Sequence, residues 1–392
     1  MTPTVSFLCS SLQGKDLFPQ SRLDKGLHLS RTDFTEPNQP LWTYRLYFRA
    51  IRKILSQDAY KTLKEAVRRQ LCLPDKPIEI KEVLVYSEKH GNWYHPAKIE
   101  VITPQGCARF VLNVALTDRG QAVMSREIEA FTYLTGKYNY PWLPALYFYE
   151  ESVRTPFPDK ENQGLPLSLF LADWFEGFHE FHLSVDPLDG IIKPVLWDGS
   201  TKPNYLANLQ ARQLYRQISK ILTLYYNPRT YEQIFPWHHG AGDFVVKVNG
   251  ERTEVRLITV RQYGPLADPE EMSIEEALLF FFLNLSIRMR LDRVDGIGEI
   301  AWAGEDCLNS TWEGFLDGLW IKEKEGTLAP GFRNKFLKDL SRFSGVELNE
   351  KFLDLLASYS PEAPDLPVLR NNIISHIQQV HRIIKLGRNI LL

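Results

Sequence analysis

Apolar residues recur at helical spacing between Thr43 and Leu71, at Ile51, Leu55, Leu63, Val67 and Leu71, with almost no breakers among them. That spacing predicts one long helix. From Lys76 the period changes. Ile78, Ile80 and the run Val83-Leu84-Val85 read as a strand, Lys98–Ile102 as a second and Ala108–Leu116 as a third. Turn residues at Glu88–Asn92 and Pro104–Gly106 separate them, so the three form an antiparallel meander. Val123, Ile128, Phe131 and Leu134 then share one stripe of a helix over Gln121–Lys137, which Tyr140–Pro144 ends. Ala145–Phe148 and Leu167–Trp174 read as strands, with Pro156–Pro166 a loop between them.

Beyond Tyr205 the pattern is mainly helical: Tyr205–Tyr226, Ile274–Leu291, Asn334–Phe343, Leu348–Tyr359 and Leu369–Leu391. One β excursion, Asp243–Val260, interrupts it around an Asn249-Gly250 turn. The first 42 residues, rich in Ser, Pro and Gln, show no period and read as an irregular arm or an edge extension. The expected organisation is thus an arm over 1–42, a lobe of helix, β-meander, helix and connecting strand over 43–175, and a helical lobe with an embedded hairpin over 176–392. The class is α+β, with an antiparallel N-terminal sheet and a mainly helical C-terminal lobe.

Composition removes several function classes. The chain has 392 residues and a formal net charge of −2, so no global basic excess calls for nucleic acid or an acidic membrane. Cys9, Cys72, Cys107 and Cys307 are scattered without a CxxC pair, which fits reduced thiols in the cytoplasm better than a disulfide framework. The N-terminus lacks the positive region and cleavage site of a signal peptide. The most apolar run, Ala277–Ile287, is shorter than the ~20 residues that span a bilayer and reads as a buried helix. Asn284-Leu285-Ser286 and Asn309-Ser310-Thr311 match a glycosylation pattern by chance in such a compartment.

Three segments resemble aminoglycoside- and choline-type kinases, within the protein-kinase-like superfamily. Arg109–Asp118 (RFVLNVALTD), Ser125–Leu134 (SREIEAFTYL) and Leu143–Tyr147 (LPALY) are similar to their third strand, glutamate-bearing helix and strand-entry proline. Leu169–Gly177 (LFLADWFEG) is similar to their hinge strand. Pro236–Val246 (PWHHGAGDFVV), followed by Val255–Thr259 (VRLIT), is similar to their catalytic loop, hairpin and metal-binding position. The resemblance covers roughly residues 78–260 and rests on the order and spacing of elements. It implies a two-lobed kinase-like fold.

The chemistry does not come with it. In this family a lysine on the third strand meets the nucleotide phosphates and is held by the helix glutamate. A catalytic-loop aspartate orients the acceptor hydroxyl, and an asparagine with a second aspartate holds Mg²⁺. Here Asn113 stands at the lysine position, His238 at the catalytic aspartate and Thr259 at the second metal aspartate, so three charged roles are missing together. Glu127 remains as the helix glutamate without a lysine to hold. Asp243 replaces the asparagine and would still carry a metal. No Gly-rich loop joins the first two strands. By the resemblance, Asn113, Thr259 and Trp174 are the positions that would meet a nucleotide carrying a divalent metal, and His238, Asp243 and Glu127 are the candidate catalytic groups.

Trp237-His238-His239-Gly240-Ala241-Gly242-Asp243 is the most unusual stretch. His239 with Asp243 would ligate a transition metal, although adjacent side chains in an extended segment point opposite ways. The bland reading is a structural turn. His179 and His182, spaced i, i+3, are more often packed than functional. The paired carboxylates Glu270-Glu271 and Glu275-Glu276 read as helix capping at Ile274. The eight Lys and Arg residues between Arg45 and Arg69 read as a solvated face, with a phosphate-contacting surface as the sharper alternative. The last helix is basic and amphipathic and is expected to dock on its own domain.

Three functions follow. The first is a pseudoenzyme that uses a kinase-like fold to bind a small molecule or a protein partner. The second is an atypical phosphotransferase or nucleotide-using enzyme with His238 as base. The third is a nucleic-acid-binding or scaffold protein that uses the basic helix 43–71, which the near-neutral charge disfavours.

Overall fold

The computed structural model describes residues 3–11, 14–27, 42–88, 91, 93–157, 160–235, 237, 240–266 and 268–387. The chain divides into two compact units, residues 1–176 and 177–392. The class is α+β.

The first unit opens with strands β1 (Thr4–Ser11) and β2 (Gly14–Leu17), then helices α1 (Tyr44–Leu55) and α2 (Gln57–Gln70). Strands β3 (Glu82–Ser87), β4 (His95–Thr103) and β5 (Gly106–Ala115) follow, then α3 (Asp118–Lys137), β6 (Leu146–Phe157) and β7 (Lys160–Asp173). Among the described residues these strands make one sheet in the order β2-β1-β3-β4-β5-β7-β6. The expected meander is present as β3-β4-β5, antiparallel throughout. The sheet as a whole is mixed, because β1 runs parallel to β3. The chain leaves β1 and passes through both helices before β3, a crossover long enough to return in the same direction. Of the stretch read as an irregular arm or an edge extension, Thr4–Ser11 and Gly14–Leu17 thus extend the sheet at its edge.

The single helix expected over Thr43–Leu71 is two. Asp58, Ala59 and Tyr60 adopt left-handed backbone angles, with φ of 46°, 53° and 64°. A straight helix of that length would span ~40 Å, whereas the ten residues of β5 reach ~33 Å. The break lets both halves lie on one sheet face. Tyr47, Ile51, Ile54, Leu63 and Val67 all bury against Val83, Val85, Ala97, Ile99, Phe110 and Leu112. The loop expected at Pro156–Pro166 is instead the end of a long β6–β7 hairpin, paired as far as Phe157 and Lys160. Polar residues hide such an arm, since backbone pairing needs no apolar side chain.

The alternation of each strand puts a second set of residues on the opposite face. There α3 packs Met124 and Ile128 onto Ala115, Phe170 and Ala172. The remainder of that face carries Tyr86, Lys98, Glu100, Arg109 and Trp174, all on the parity opposite to the core.

The second unit begins with β8 (Phe181–Val185), β9 (Ile192–Leu196) and β10 (Asn204–Tyr205), a small antiparallel sheet that the sequence pattern does not predict. Next come α4 (Asn208–Tyr225), β11 (Glu232–Ile234), β12 (Phe244–Asn249), β13 (Arg252–Leu257), β14 (Tyr263–Pro265), α5 (Ile274–Arg288), β15 (Leu291–Arg293) and β16 (Ile300–Trp302). Helices α6 (Glu305–Lys324), α7 (Phe332–Leu340), α8 (Gly345–Ala357) and α9 (Leu366–Gly387) complete it.

The β12–β13 hairpin turns at Gly250 and Glu251, between the Asn249–Arg252 pair, one residue beyond the expected Asn249-Gly250 centre. Gly250, at φ 57°, supplies the positive φ that a two-residue hairpin turn needs at its first position. Ser273 and Glu276 form a capping box at the start of α5, so Glu276 caps as expected. Phe281 and Phe282 bury against Phe315, the latter also against Trp312, which accounts for the apolar run.

Helix α6 has no counterpart in the hydrophobic pattern, because Ser310, Thr311, Gly314 and Gly318 interrupt its stripe. The structure gives these small residues a purpose. A Cβ on Gly314 would lie 2.0 Å from the carbonyl oxygen of Arg216, and one on Gly318 2.6 Å from the Thr223 side chain. The glycines let α4 and α6 touch backbone to backbone. Helix α9 docks on its own unit as expected, burying Ile373, Ile377, Val380 and Ile384 and pairing Arg382 with Glu305.

Candidate functional site

The open end of the β12–β13 hairpin holds one candidate centre. The Ile258 N–H donates to the Asp243 carbonyl at 2.9 Å, so Asp243 and Thr259 flank the mouth of the same ladder. Asp243 is only 2% exposed. Its Oδ1 lies 2.7 Å from a terminal guanidinium nitrogen of Arg261, two residues beyond Thr259. A buried carboxylate requires a compensating positive charge. Here Arg261, just past the end of β13, supplies it. Arg261 was not singled out in the sequence; the signal was a basic residue two places past the missing metal aspartate.

The other predicted positions lie in the first unit. Asn113 sits on β5 opposite Phe170 and Pro96, on the face that α3 covers. Glu127 is buried on α3 beside Ile128 and accepts a hydrogen bond from the Tyr94 hydroxyl at 2.6 Å. Glu127 is thus held by a phenol. Trp174 continues β7, donating its backbone N–H to the Arg109 carbonyl at 3.2 Å. The Lys98 ammonium lies 5.1 Å from the centre of a Trp174 ring and 5.9 Å from that of Tyr86. His238 and His239 lie outside the described residues. Among the described residues no group of three His, Cys, Asp or Glu side chains converges as metal ligands.

The His179–His182 pair is split by the fold. His179 exchanges both backbone hydrogen bonds with Val246, at 2.8 Å each. His182 is buried, its Nδ1 3.2 Å from Asp292 and its ring 4.3 Å from that of Trp197. Asp292 also accepts the Leu183 N–H at 2.7 Å. The pair ties β8 to β15, a structural task that its spacing alone does not announce.

A second buried histidine, His376, lies between Arg290 and Ser286. Arg290 donates to its Nδ1 at 3.2 Å, so the proton resides on Nε2 and points to Ser286 Oγ at 3.0 Å. Burial, then the Arg290 charge, pulls its pKa down to about 3. Much of the basic stretch is engaged in the fold. Arg45 pairs with Asp24, Arg68 with Glu65, and Arg52, Lys64 and Arg69 donate to backbone carbonyls.

No helix among the described residues is long and apolar enough to cross a membrane. No family model and no curated protein matches the chain. Among solved structures it is similar to the choline kinase of Cryptosporidium parvum Iowa II, at 9% identity and a TM-score of 0.34, over 88% of this chain and 97% of that one. A likeness that loose carries no argument, and the function proposed next stands on this chain's own residues.

Proposed function

We propose that this chain is a kinase-like-fold protein that binds a ligand or partner without transferring phosphate. The observation that carries the proposal is the Asp243–Arg261 pair. In a phosphotransferase of this plan, an asparagine and an aspartate around the hairpin hold Mg²⁺, which neutralises the phosphates. In this chain Thr259 replaces the aspartate, and Asp243, at the asparagine position, already has a cation beside it. Asn113 supplies no charge toward a phosphate, and Glu127 is engaged by Tyr94.

The order of elements supports the kinase-like plan: a meander, a helix packed across its second face, two further strands, then a mainly helical unit that carries the β12–β13 hairpin. The near-neutral charge and the internal use of the basic helix favour this reading over a nucleic-acid scaffold. The scattered thiols suit a cytoplasmic protein.

The test is incubation with ATP and Mg²⁺ or Mn²⁺, following ADP release. Wild type is expected to give no metal-dependent turnover. A turnover that Asp243→Asn abolishes while the fold survives would overturn the proposal in favour of an atypical transferase.

A further inference from the structure

The second sheet face of the first unit holds, beside the part packed by α3, a mixed charge cluster. Glu100 and Arg109 are cross-strand partners on β4 and β5, and Lys98 lies two residues before Glu100 on the same face. Glu100 is buried, 3.1 Å from the Lys98 ammonium and 3.6 Å from Arg109 Nε, and receives the Tyr86 hydroxyl at 3.3 Å. It is a fixed part of the sheet. Glu176 is different. It is 56% exposed, yet a single oxygen, Oε2, lies 2.9 Å from Lys98 Nζ and 3.5 Å from Arg109 Nε. An exposed carboxylate therefore occupies a point on which two cations converge.

Arg109 is poorly served there. Its Nε is buried without a hydrogen-bond partner among the described residues, because both carboxylates stand beyond hydrogen-bonding distance. A guanidinium fork is built for bidentate contact with an oxyanion. The Trp174 ring, 5.1 Å from the Lys98 ammonium, forms one wall.

We infer that Lys98 and Arg109 form a binding site for a phosphate dianion, and that Glu176 is its built-in competitor, released when the ligand arrives. A tethered carboxylate competes at high effective concentration, so a singly charged ligand gains little by replacing it. A dianion gains, since it brings twice the charge to the same two cations. The inference deepens the binding-module reading by naming the ligand class, yet it stands on the first unit alone and uses no nucleotide or metal.

Titration calorimetry of the full chain in EDTA at constant ionic strength tests it, with inorganic phosphate, phenyl phosphate and acetate as probes. Phosphate is expected to bind and acetate not to. Glu176→Gln, at an exposed position that leaves the fold intact, is expected to bind phosphate about tenfold more tightly. Adding Arg109→Gln to that variant is expected to remove the gain. Equal affinity for inorganic and phenyl phosphate assigns free phosphate as the ligand, and tighter phenyl phosphate assigns a phosphomonoester resting on Trp174. Glu176→Gln binding phosphate no better than wild type, or acetate binding as well as phosphate, overturns the proposal. Because Asp243 and Arg261 play no part here, this result and the turnover result fail independently.

Discussion

Arg261 carries the account at the scale of single residues. Removing one member of a buried ion pair strands the other charge, at a cost on the order of 3 kcal/mol. Arg261→Ala is therefore expected to lower stability by about that much. Adding Asp243→Asn should recover most of the loss, because the stranded charge is gone. Denaturant unfolding of the double-mutant cycle measures the coupling; additive losses would mean that the pair contributes nothing. His376 gives a second test. Its ordinary pKa of 6.5 falls to about 3 in the folded chain, so the unfolded chain takes up a proton that the folded one refuses. That stability is complete above pH 6.5 and declines as the pH falls toward 3, by at most about 1.4 kcal/mol per unit. Between pH 6.5 and 5 the urea midpoint of wild type should fall more steeply than that of His376→Gln. Equal slopes would show that His376 titrates normally. The absences at Asn113 and Thr259 could be read from the sequence, because a missing charge is visible in one residue. The replacement at Arg261 could not, since its meaning comes from a contact across the hairpin mouth. Tyr94 on Glu127 was hidden for the same reason.

Among the elements, those with a single dominant period were legible: the meander, α3, α5, α9 and the β12–β13 hairpin. Those shaped by close backbone approach or by bending were not. The join of α1 and α2 keeps helical spacing on both sides, so nothing in the apolar pattern marks the left-handed stretch at Asp58–Tyr60. Residues other than glycine pay about 1–2 kcal/mol each for that conformation. Ala59→Gly is expected to raise the unfolding free energy by about 1 kcal/mol, against the usual penalty for glycine in a helix. A loss of stability would mean that Ala59 is ordinary helix. Gly314 and Gly318 concealed α6 because glycine reads as a breaker, whereas here it sets the distance between two helices. Gly314→Ala places a Cβ against the backbone of Arg216, which cannot yield as a side chain end would. Overpacking of this kind costs about 1–3 kcal/mol, so a clear fall in melting temperature is expected. Gly304→Ala, where a Cβ meets nothing within 4 Å, is the control.

For the molecule as a whole, the α+β class followed from the order of periods along the chain. The parallel β1 did not, because residues 1–42 carry no pattern of their own and gain their place only by pairing with β3. The small strands from β8 to β10 were too short to leave a period. What this whole does depends on whether the hairpin mouth can still gather a metal and a nucleotide. The most direct measurement is thermal unfolding of the full chain with ATP, ADP or AMP, each with Mg²⁺, Mn²⁺ or EDTA. A ligand that binds only the folded state at ~100 times its dissociation constant adds ~2.7 kcal/mol, a readily visible rise in melting temperature. With Arg261 already neutralising Asp243, the melting temperature should show no metal-dependent rise with any nucleotide. A rise that needs both nucleotide and Mg²⁺, and that disappears in Asp243→Asn, would contradict the account.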